Sequence, residues 1–129
     1  MEEAYKEGWI RAIGVSNFYP DRLIDLCSFA EVKSAVNQVE THVFQQQVQA
    51  HEYMEKYGVQ HESWGPFAEG RKDFLTNPVW MEIGKKYDKG AAQTALRFLI
   101  QSGVVVIPKS THKIRMIQNI DVFDFSCRL

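Results

Sequence analysis

The stretch VVVIPKSTHKIR near the end of the chain joins an apolar run to side chains that could hold an anion. Residues 104–107 are four consecutive apolar residues, a pattern typical of a fully buried strand. The chain then turns through a proline into Lys109, Ser110 and Thr111, and Arg115 follows within the next predicted helix. A helix N-terminus beside two cations can bind phosphate through backbone N–H groups, the helix dipole and charge-assisted hydrogen bonds. Solvated surface charges are the alternative for Lys109 and Arg115, and the spacing alone does not decide between the two.

Other hydrogen-bonding and aromatic side chains follow three further predicted strands. They form the groups Ser16-Asn17-Phe18, Gln38-Val39-Glu40 and Trp64-Gly65-Pro66-Phe67. Parallel sheets bind their ligands at the carboxyl ends of the strands, in open sheets and in barrels alike. These groups are therefore candidate binding residues at one edge of a sheet, although Trp64 taken alone could equally be a core aromatic residue.

An alternation of strands and helices would bring these groups together. The predicted strands cover residues 9–15, 34–39, 59–64 and 104–107. Gly8, Gly58 and Gly103 precede three of them, each where a helix could end in the left-handed conformation. Strands separated by helices predict parallel β-α-β units. The chain is predicted to be an α/β protein with one domain over residues 1–129.

Five helices are predicted between and after the strands. Their starts or spans are Asp21 after Pro20, residues 45–57, Asn77-Pro78 with Asn77 as N-cap, residues 91–102, and a short helix capped by Ser110 or Thr111. The predicted apolar stripes are Leu23, Leu26, Cys27 and Ala30; Val48, Tyr53, Met54 and Tyr57; Val79, Trp80, Ile83 and Tyr87; Ala92, Ala95, Leu96, Leu99 and Ile100; and Ile114 and Ile117.

Composition excludes several classes of protein. The chain has 129 residues, 45% of them hydrophobic and 24% charged, with a net charge of −1, which fits a soluble globular domain. The balanced charge argues against a general binder of nucleic acid or anionic membranes. No apolar run approaches the ~20 residues of a membrane span, and Met1-Glu2-Glu3 is unlike a signal peptide. Cys27 and Cys127 lack metal or redox spacing, so free thiols and a cytoplasmic location are predicted.

Four segments resemble, in order and spacing, the signatures of the aldo-keto reductases. They are IRAIGVSNF, AVNQVETH, ESWGPFAEGR and AAQTALRFLIQSGVVVIPKSTHKIRMIQNIDVFDF, and together they cover essentially the whole chain. The resemblance implies the C-terminal half of a (β/α)₈ TIM-type barrel, with about four parallel strands forming a half-barrel. It also implies binding of NADPH without a dinucleotide-fold glycine fingerprint, and no G-x-G-x-x-G occurs in the sequence.

The resemblance further implies which residues bind NADPH. Those expected at the nicotinamide are Ser16, Asn17 and Gln38, which would hold its carboxamide, and Trp64, which would stack on its ring. Those expected along the pyrophosphate are Gly65, Pro66 and Phe67. Those expected at the 2′-phosphate are Lys109, Ser110 and Arg115, with Thr111 beside them, and those at the adenine are Gln118 and Asn119.

The catalytic residues of the family have no counterpart here. The family uses an Asp, a Tyr proton donor, a Lys and a His, all from its first four strands, so no catalytic residue is assigned. Met1 matches an internal position of family sequences, and the chain stops before the family's C-terminal helix, so a fragment or a truncated gene product is expected. Two functions stay open: the NADPH-binding half of a carbonyl reductase, or a non-catalytic half-barrel that binds a nucleotide or assembles. Exposed edges and an inward face rich in Val, Ile and Phe predict a homo-oligomer.

Other polar residues suggest weaker alternatives. Gln38, Glu40 and His42 share one face of a strand, but without further His or Cys at ligand spacing no metal site is predicted. In the family a Pro follows the His that matches His42; Val43 stands here, so the local turn is an open question. Polar roles without chemistry are expected for the scattered His51, His61 and His112, and no nucleophile is expected at Ser63 or Ser110.

Overall fold

The computed structural model describes residues 1–71 and 73–127, in which helices and strands alternate in the predicted order. The helices are α1 (Glu2–Lys6), α2 (Pro20–Phe29), α3 (Val48–Tyr57), α4 (Pro78–Lys85), α5 (Ala91–Gln101) and α6 (Lys113–Ile120). The strands are β1 (Gly14–Ser16), β2 (Val36–Glu40), β3 (Gln60–Trp64) and β4 (Val105–Val106). Short 3-10 helices at Ala68–Gly70 and Phe74–Thr76 follow β3.

The strands form one parallel sheet in the order β1-β2-β3-β4, which confirms the predicted parallel arrangement. The register aligns Ser16 with Gln38 and Gln38 with Glu62, so these side chains project from the same face. Both edge strands are shorter than predicted, because each has a neighbour on one side only. Trp9 lies within the predicted first strand but is 80% exposed and outside β1.

The two faces of the sheet differ in what covers them. On one face the α2 and α3 helices pack over β2, where Leu23, Ala50 and Met54 join Val39 in a buried cluster. The residues of the opposite face, called the open face below, are Gly14, Ser16, Val36, Gln38, Glu40, Gln60, Glu62, Trp64 and Val105. The expectation that this face is rich in Val, Ile and Phe is wrong, because glutamines and glutamates supply much of its surface.

The ends of the helices follow local sequence signals in most places. Asn77 caps α4 as predicted, because its side-chain oxygen accepts from the Val79 N–H at 3.0 Å, and Pro78 is the first helical residue. Gly8, Gly58 and Gly103 all have positive φ, between 65° and 78°, as predicted for residues that end helices. The prediction fails at α6, whose N-cap is His112 rather than Ser110 or Thr111.

A second core lies around α5, which is buried on most of its surface. Leu96 packs with Val122, Phe125 and Cys127 of the C-terminal tail. Ala95 packs with Val43 and Phe74, and the half-buried Trp80 and Phe98 pack against that group. The apolar stripe predicted for α4 is therefore correct at Trp80, Ile83 and Tyr87, but Val79 is wrong because its side chain is 58% exposed. On α6, Ile114 and Ile117 are exposed.

The C-terminal tail is fixed to α5 by polar contacts as well as by packing. Lys89 Nζ lies 2.8 Å from an Asp121 carboxylate oxygen and 2.9 Å from an Asp124 oxygen. The Gln101 side chain accepts from the Cys127 N–H at 2.7 Å and donates to the Cys127 carbonyl oxygen at 3.1 Å. Within the described residues no helix has the length and apolar character needed to cross a membrane.

Candidate functional site

Four of the predicted binding residues meet at the carboxyl ends of β1, β2 and β3. The Trp64 indole Nε1 donates a hydrogen bond to Asn17 Oδ1 at 2.9 Å. The Ser16 hydroxyl and the Asn17 backbone N–H both donate to the Gln38 carbonyl oxygen, at 3.0 and 2.8 Å. Side chains from three adjacent strand ends are thus linked into what we call the strand-end cluster: Ser16, Asn17, Gln38 and Trp64.

Two asparagines hold the loop after β1 against the sheet. Asn17 has a backbone φ of 57°, in the left-handed region that Asn tolerates better than most residues. Asn37 is fully buried; its amide donates to the Phe18 carbonyl oxygen at 2.7 Å, and its Oδ1 accepts from the Phe18 N–H at 3.3 Å. Sequence reasoning missed this role of Asn37, because a polar residue inside a strand reveals its partner only in the folded chain.

The hydrogen bonds of the cluster decide which atoms of its two amides are available to a ligand. The indole N–H can only donate, so Asn17 presents its oxygen to Trp64 and keeps its Nδ2 donor available. Gln38 Nε2 donates to a Glu62 carboxylate oxygen at 2.6 Å, which leaves the Gln38 Oε1 acceptor available. A donor and an acceptor on neighbouring strands are the complement of a primary carboxamide.

The chain leads from this cluster toward a pocket through Gly65, Pro66 and Phe67. Gly65 has a φ of 64°, which reverses the chain direction after β3, and its carbonyl oxygen accepts from the Ala68 N–H at 2.8 Å. Pro66 is buried, and Phe67 contacts both the α5 core and the pocket. These three residues therefore connect the strand-end cluster with the pocket, as expected for residues beside a pyrophosphate.

The pocket has a volume of about 260 Å³ and contains most of the remaining predicted residues. Its lining residues are Phe67, Leu75, Gly90, Ala91, Ala92, Lys109, Ser110, Arg115, Gln118 and Asn119. No acidic residue occurs among these described lining residues, whereas Lys109 and Arg115 are both cationic. The predicted Thr111 is exposed and lies outside the lining.

The helix N-terminus that lines the pocket belongs to α5 and not to α6. Gly90 caps α5, and the small side chains of Gly90, Ala91 and Ala92 line the wall there. The α6 helix contributes Arg115 and later residues, so it presents its side rather than its first turn. The expected phosphate site at the α6 N-terminus is thus corrected to one at the α5 N-terminus. The signal that sequence reasoning missed is the run of small residues at the start of α5.

Comparison with known proteins identifies the family. The sequence model described as "Aldo/keto reductase family" matches residues 1–128. The chain belongs to this family. It is 46% identical to the glyoxal reductase of Bacillus subtilis (strain 168) over 125 residues, which are 97% of this chain and 45% of that protein.

Solved structures agree with this assignment. An aldo-keto reductase from a Medee basin deep-sea metagenome library superposes with a TM-score of 0.93 at 45% identity, covering 97% of this chain and 46% of that one. The silkworm aldo-keto reductase complexed with NADPH gives a TM-score of 0.92 at 34% identity, over 98% of this chain and 42% of that one. The chain therefore spans less than half the length of these relatives. Its four parallel strands with alternating helices correspond to half of the aldo-keto reductase barrel.

The segment that matches the family's strand-end His motif keeps its turn although Val43 replaces Pro. His42 and Gln45 exchange two backbone hydrogen bonds, at 3.1 and 2.8 Å. Val43 is buried beside Phe74 and Ala95, which gives its side chain a packing role. The His42 ring accepts from the Phe44 N–H at 3.2 Å, and its Nε2 lies 3.6 Å from a Glu40 oxygen.

The expectation that the histidines are scattered is wrong for His51 and His61. Their Nδ1 atoms are 2.9 Å apart, and His61 Nε2 lies 2.7 Å from the Thr41 hydroxyl. His61 is buried on the helix-covered face, and this burial, with a smaller contribution from His51, lowers its pKa from 6.5 to about 4. Within the described residues, no group of three His, Cys, Asp or Glu side chains could hold a metal ion.

Proposed function

We propose that this chain is the cofactor-binding half of an NADPH-dependent aldo-keto reductase that reduces an aldehyde or a ketone to an alcohol. The observation that carries the proposal is the pocket in which Lys109, Ser110 and Arg115 face the N-terminus of α5. Two cations, a hydroxyl and the first backbone N–H groups of a helix are suited to a phosphate dianion. Support also comes from the related silkworm reductase, which is complexed with NADPH.

The nicotinamide end of the cofactor would lie at the strand-end cluster. The Asn17 Nδ2 donor and the Gln38 Oε1 acceptor match the oxygen and the nitrogen of a carboxamide. Trp64 would stack on the ring, held in place by its hydrogen bond to Asn17. When bound, NADPH supplies the hydride, and these residues orient it toward the carbonyl carbon of the substrate.

The adenosine end would occupy the pocket beside α6. Lys109, Ser110 and Arg115 are the proposed ligands of the 2′-phosphate, and Gln118 and Asn119 the proposed contacts of the adenine. The sequence also predicts Thr111 as a neighbour of this site, but its side chain would have to rotate or move to reach the pocket. Because NADH lacks the 2′-phosphate, the proposal requires a preference for NADPH.

Titration of the purified 129-residue chain with NADPH and NADH, followed by Trp64 fluorescence, tests this function. We expect tighter binding of NADPH, and we expect Arg115→Ala to weaken it by roughly 10- to 100-fold, the effect of losing one hydrogen bond to a charged group. NADH binding should be almost unchanged by the substitution. Lys113→Ala, on the same helix but outside the pocket, is the matched control for loss of a cation. Equal affinities for the two nucleotides, or an unaltered NADPH affinity in Arg115→Ala, would refute the assignment.

A second candidate function is assembly without catalysis. Its support is the sheet itself, in which β1 and β4 each lack one neighbour among the described strands and the open face has no covering helix. On this alternative the half-barrel binds a nucleotide or pairs with another half. Reduction of carbonyls by the isolated chain distinguishes the two candidates. Cytoplasmic location stays our prediction, supported by the two free thiols of Cys27 and Cys127.

A further inference from the structure

We propose that Glu62 is a positioning residue, which fixes the orientation of the Gln38 amide and thereby makes the site selective for a primary carboxamide. The inference rests on the proposed NADPH-binding function and adds a residue to it. Glu62 would not touch the cofactor through this role, since it acts through Gln38.

The sheet brings the two residues together. Gln38 and Glu62 are register partners on the neighbouring strands β2 and β3, and both side chains project from the open face. Gln38 Nε2 donates to Glu62 Oε1 at 2.6 Å, a short hydrogen bond to a charged acceptor. Among the described residues no Lys or Arg forms an ion pair with Glu62, so its recorded side-chain bond is the one to Gln38.

The carboxylate removes an ambiguity that a glutamine alone would leave. An amide can rotate to present either its oxygen or its nitrogen, so an unrestrained Gln38 could offer a ligand a donor or an acceptor. A carboxylate only accepts, so the nitrogen must face Glu62 and the oxygen must face outward. Trp64 fixes the Asn17 amide in the opposite sense, because an indole N–H only donates.

The resulting pair is one donor, Asn17 Nδ2, and one acceptor, Gln38 Oε1. A primary carboxamide satisfies both, through its oxygen and its nitrogen. A methyl ketone in the same position would keep the bond to Asn17 and leave the Gln38 oxygen without a donor, which weakens binding. Selectivity for the carboxamide therefore depends on Glu62, although Glu62 makes no contact with it.

The experiment compares NADPH with the reduced 3-acetylpyridine analogue of NADP, in which an acetyl group replaces the carboxamide. Fluorescence titrations are run on the unmodified chain, Glu62→Ala and Glu62→Gln, with Glu82→Gln on the exposed face of α4 as a charge-matched control. We expect the unmodified chain to prefer NADPH and Glu62→Ala to reduce that preference by roughly three- to tenfold, the effect of one neutral hydrogen bond. Glu62→Gln should restore part of it, because its side-chain oxygen can still accept from Gln38. An unchanged preference in Glu62→Ala would overturn the proposal.

A second measurement separates this proposal from the cofactor assignment. In ¹H–¹⁵N spectra without nucleotide, the side-chain NH₂ signal of Gln38, identified by its absence in Gln38→Leu, should shift in Glu62→Ala and stay fixed in Glu82→Gln. Failure of every variant to bind NADPH, with that shift present, would refute the cofactor assignment and the carboxamide selectivity while supporting the Glu62–Gln38 contact. A Gln38 signal that is insensitive to Glu62→Ala would refute the positioning role whether or not NADPH binds.

Discussion

Buried His61 belongs to a chain of hydrogen bonds that runs from the surface of α3 to the end of β2. The exposed Glu55 carboxylate lies 3.4 Å from His51 Nε2, His51 Nδ1 lies 2.9 Å from His61 Nδ1, and His61 Nε2 lies 2.7 Å from Thr41 Oγ1. Neutral rings satisfy every position if His51 donates to Glu55, His61 donates to His51 and Thr41 donates to His61. Each link then has one donor and one acceptor, which favours a neutral His61.

This network predicts that the protein loses stability on mild acidification. The pKa of His61 is lowered by burial to about 4 in the folded protein, against 6.5 when it is solvated. The unfolded chain therefore takes up a proton between these two values that the folded chain does not, so the free energy of unfolding falls as the pH drops through this window. Urea unfolding at about pH 7 and about pH 5 measures the change.

His61→Leu should reduce this pH dependence, whatever its effect on the absolute stability. The exposed His112 offers the matched control, because His112→Leu removes a histidine that remains solvated on folding. A pH dependence in His61→Leu equal to that of the unmodified chain would show that His61 is not responsible.

At the scale of elements, close contact between α4 and α5 depends on Gly84. A Cβ built on this buried residue would lie 2.3 Å from the Lys89 carbonyl oxygen and 2.8 Å from Thr94 Oγ1. Backbone at that distance cannot be displaced without shifting the segment between the helices. The segment ends at Gly90, the N-cap of α5 and part of the pocket wall, so Gly84 also determines the position of the proposed phosphate site.

Gly84→Ala is accordingly expected to destabilise the fold by about 1–3 kcal/mol, as overpacking does. In an unobstructed helix the same change stabilises by about 1 kcal/mol, so the sign is diagnostic. Urea unfolding gives the free energy, and NADPH titration should show weaker binding because the α5 N-terminus moves. Lys85→Ala, at an exposed position of the same helix, is the control. A stabilised Gly84→Ala variant would mean that the two helices are less closely packed than described.

At the scale of the whole molecule, the sheet leads us to predict that the chain forms a homodimer or a larger oligomer. Strand edges without neighbours are templates for pairing, and Val105 on the edge strand β4 is 42% exposed. We expect Val105→Lys to shift the chain toward monomer, while Met81→Lys, at a 44% exposed position on α4, should not. Light scattering checks both. A well-folded monomer of the unmodified chain at roughly 10–50 μM, where weak self-association is detectable, would contradict the prediction.

The isolated 129-residue chain is further expected not to reduce carbonyls. The resemblance assigns the family's proton donor and its activating groups to strands that have no counterpart here, and general acid catalysis is typically worth about 10²–10⁴-fold. His42, the nearest substitute, is buried and already bonded to the Phe44 N–H. NADPH oxidation with a panel of aldehydes, with His42→Ala as a control, tests this. Turnover within about tenfold of a typical 10 s⁻¹ would show that the chemistry lies elsewhere than we infer.

The sequence by itself determined the elements and the strand ends. Caps such as Asn77, the glycines after helices and the apolar run of β4 act through a few neighbouring residues, so their effect can be read locally. Parallel strands also have their carboxyl ends at one edge, which is why Ser16, Gln38 and Trp64 could be grouped in advance.

Only the tertiary structure decided which partners these residues have. The α5 N-terminus reaches the pocket because its helix packs under the C-terminal tail, and His51 meets His61 because α3 lies against β3. Glu62 faces Gln38 because the register of β2 and β3 aligns them. Such contacts depend on register and packing between residues distant in sequence, and a one-residue slip would turn Glu62 away from Gln38 to the opposite face of the sheet.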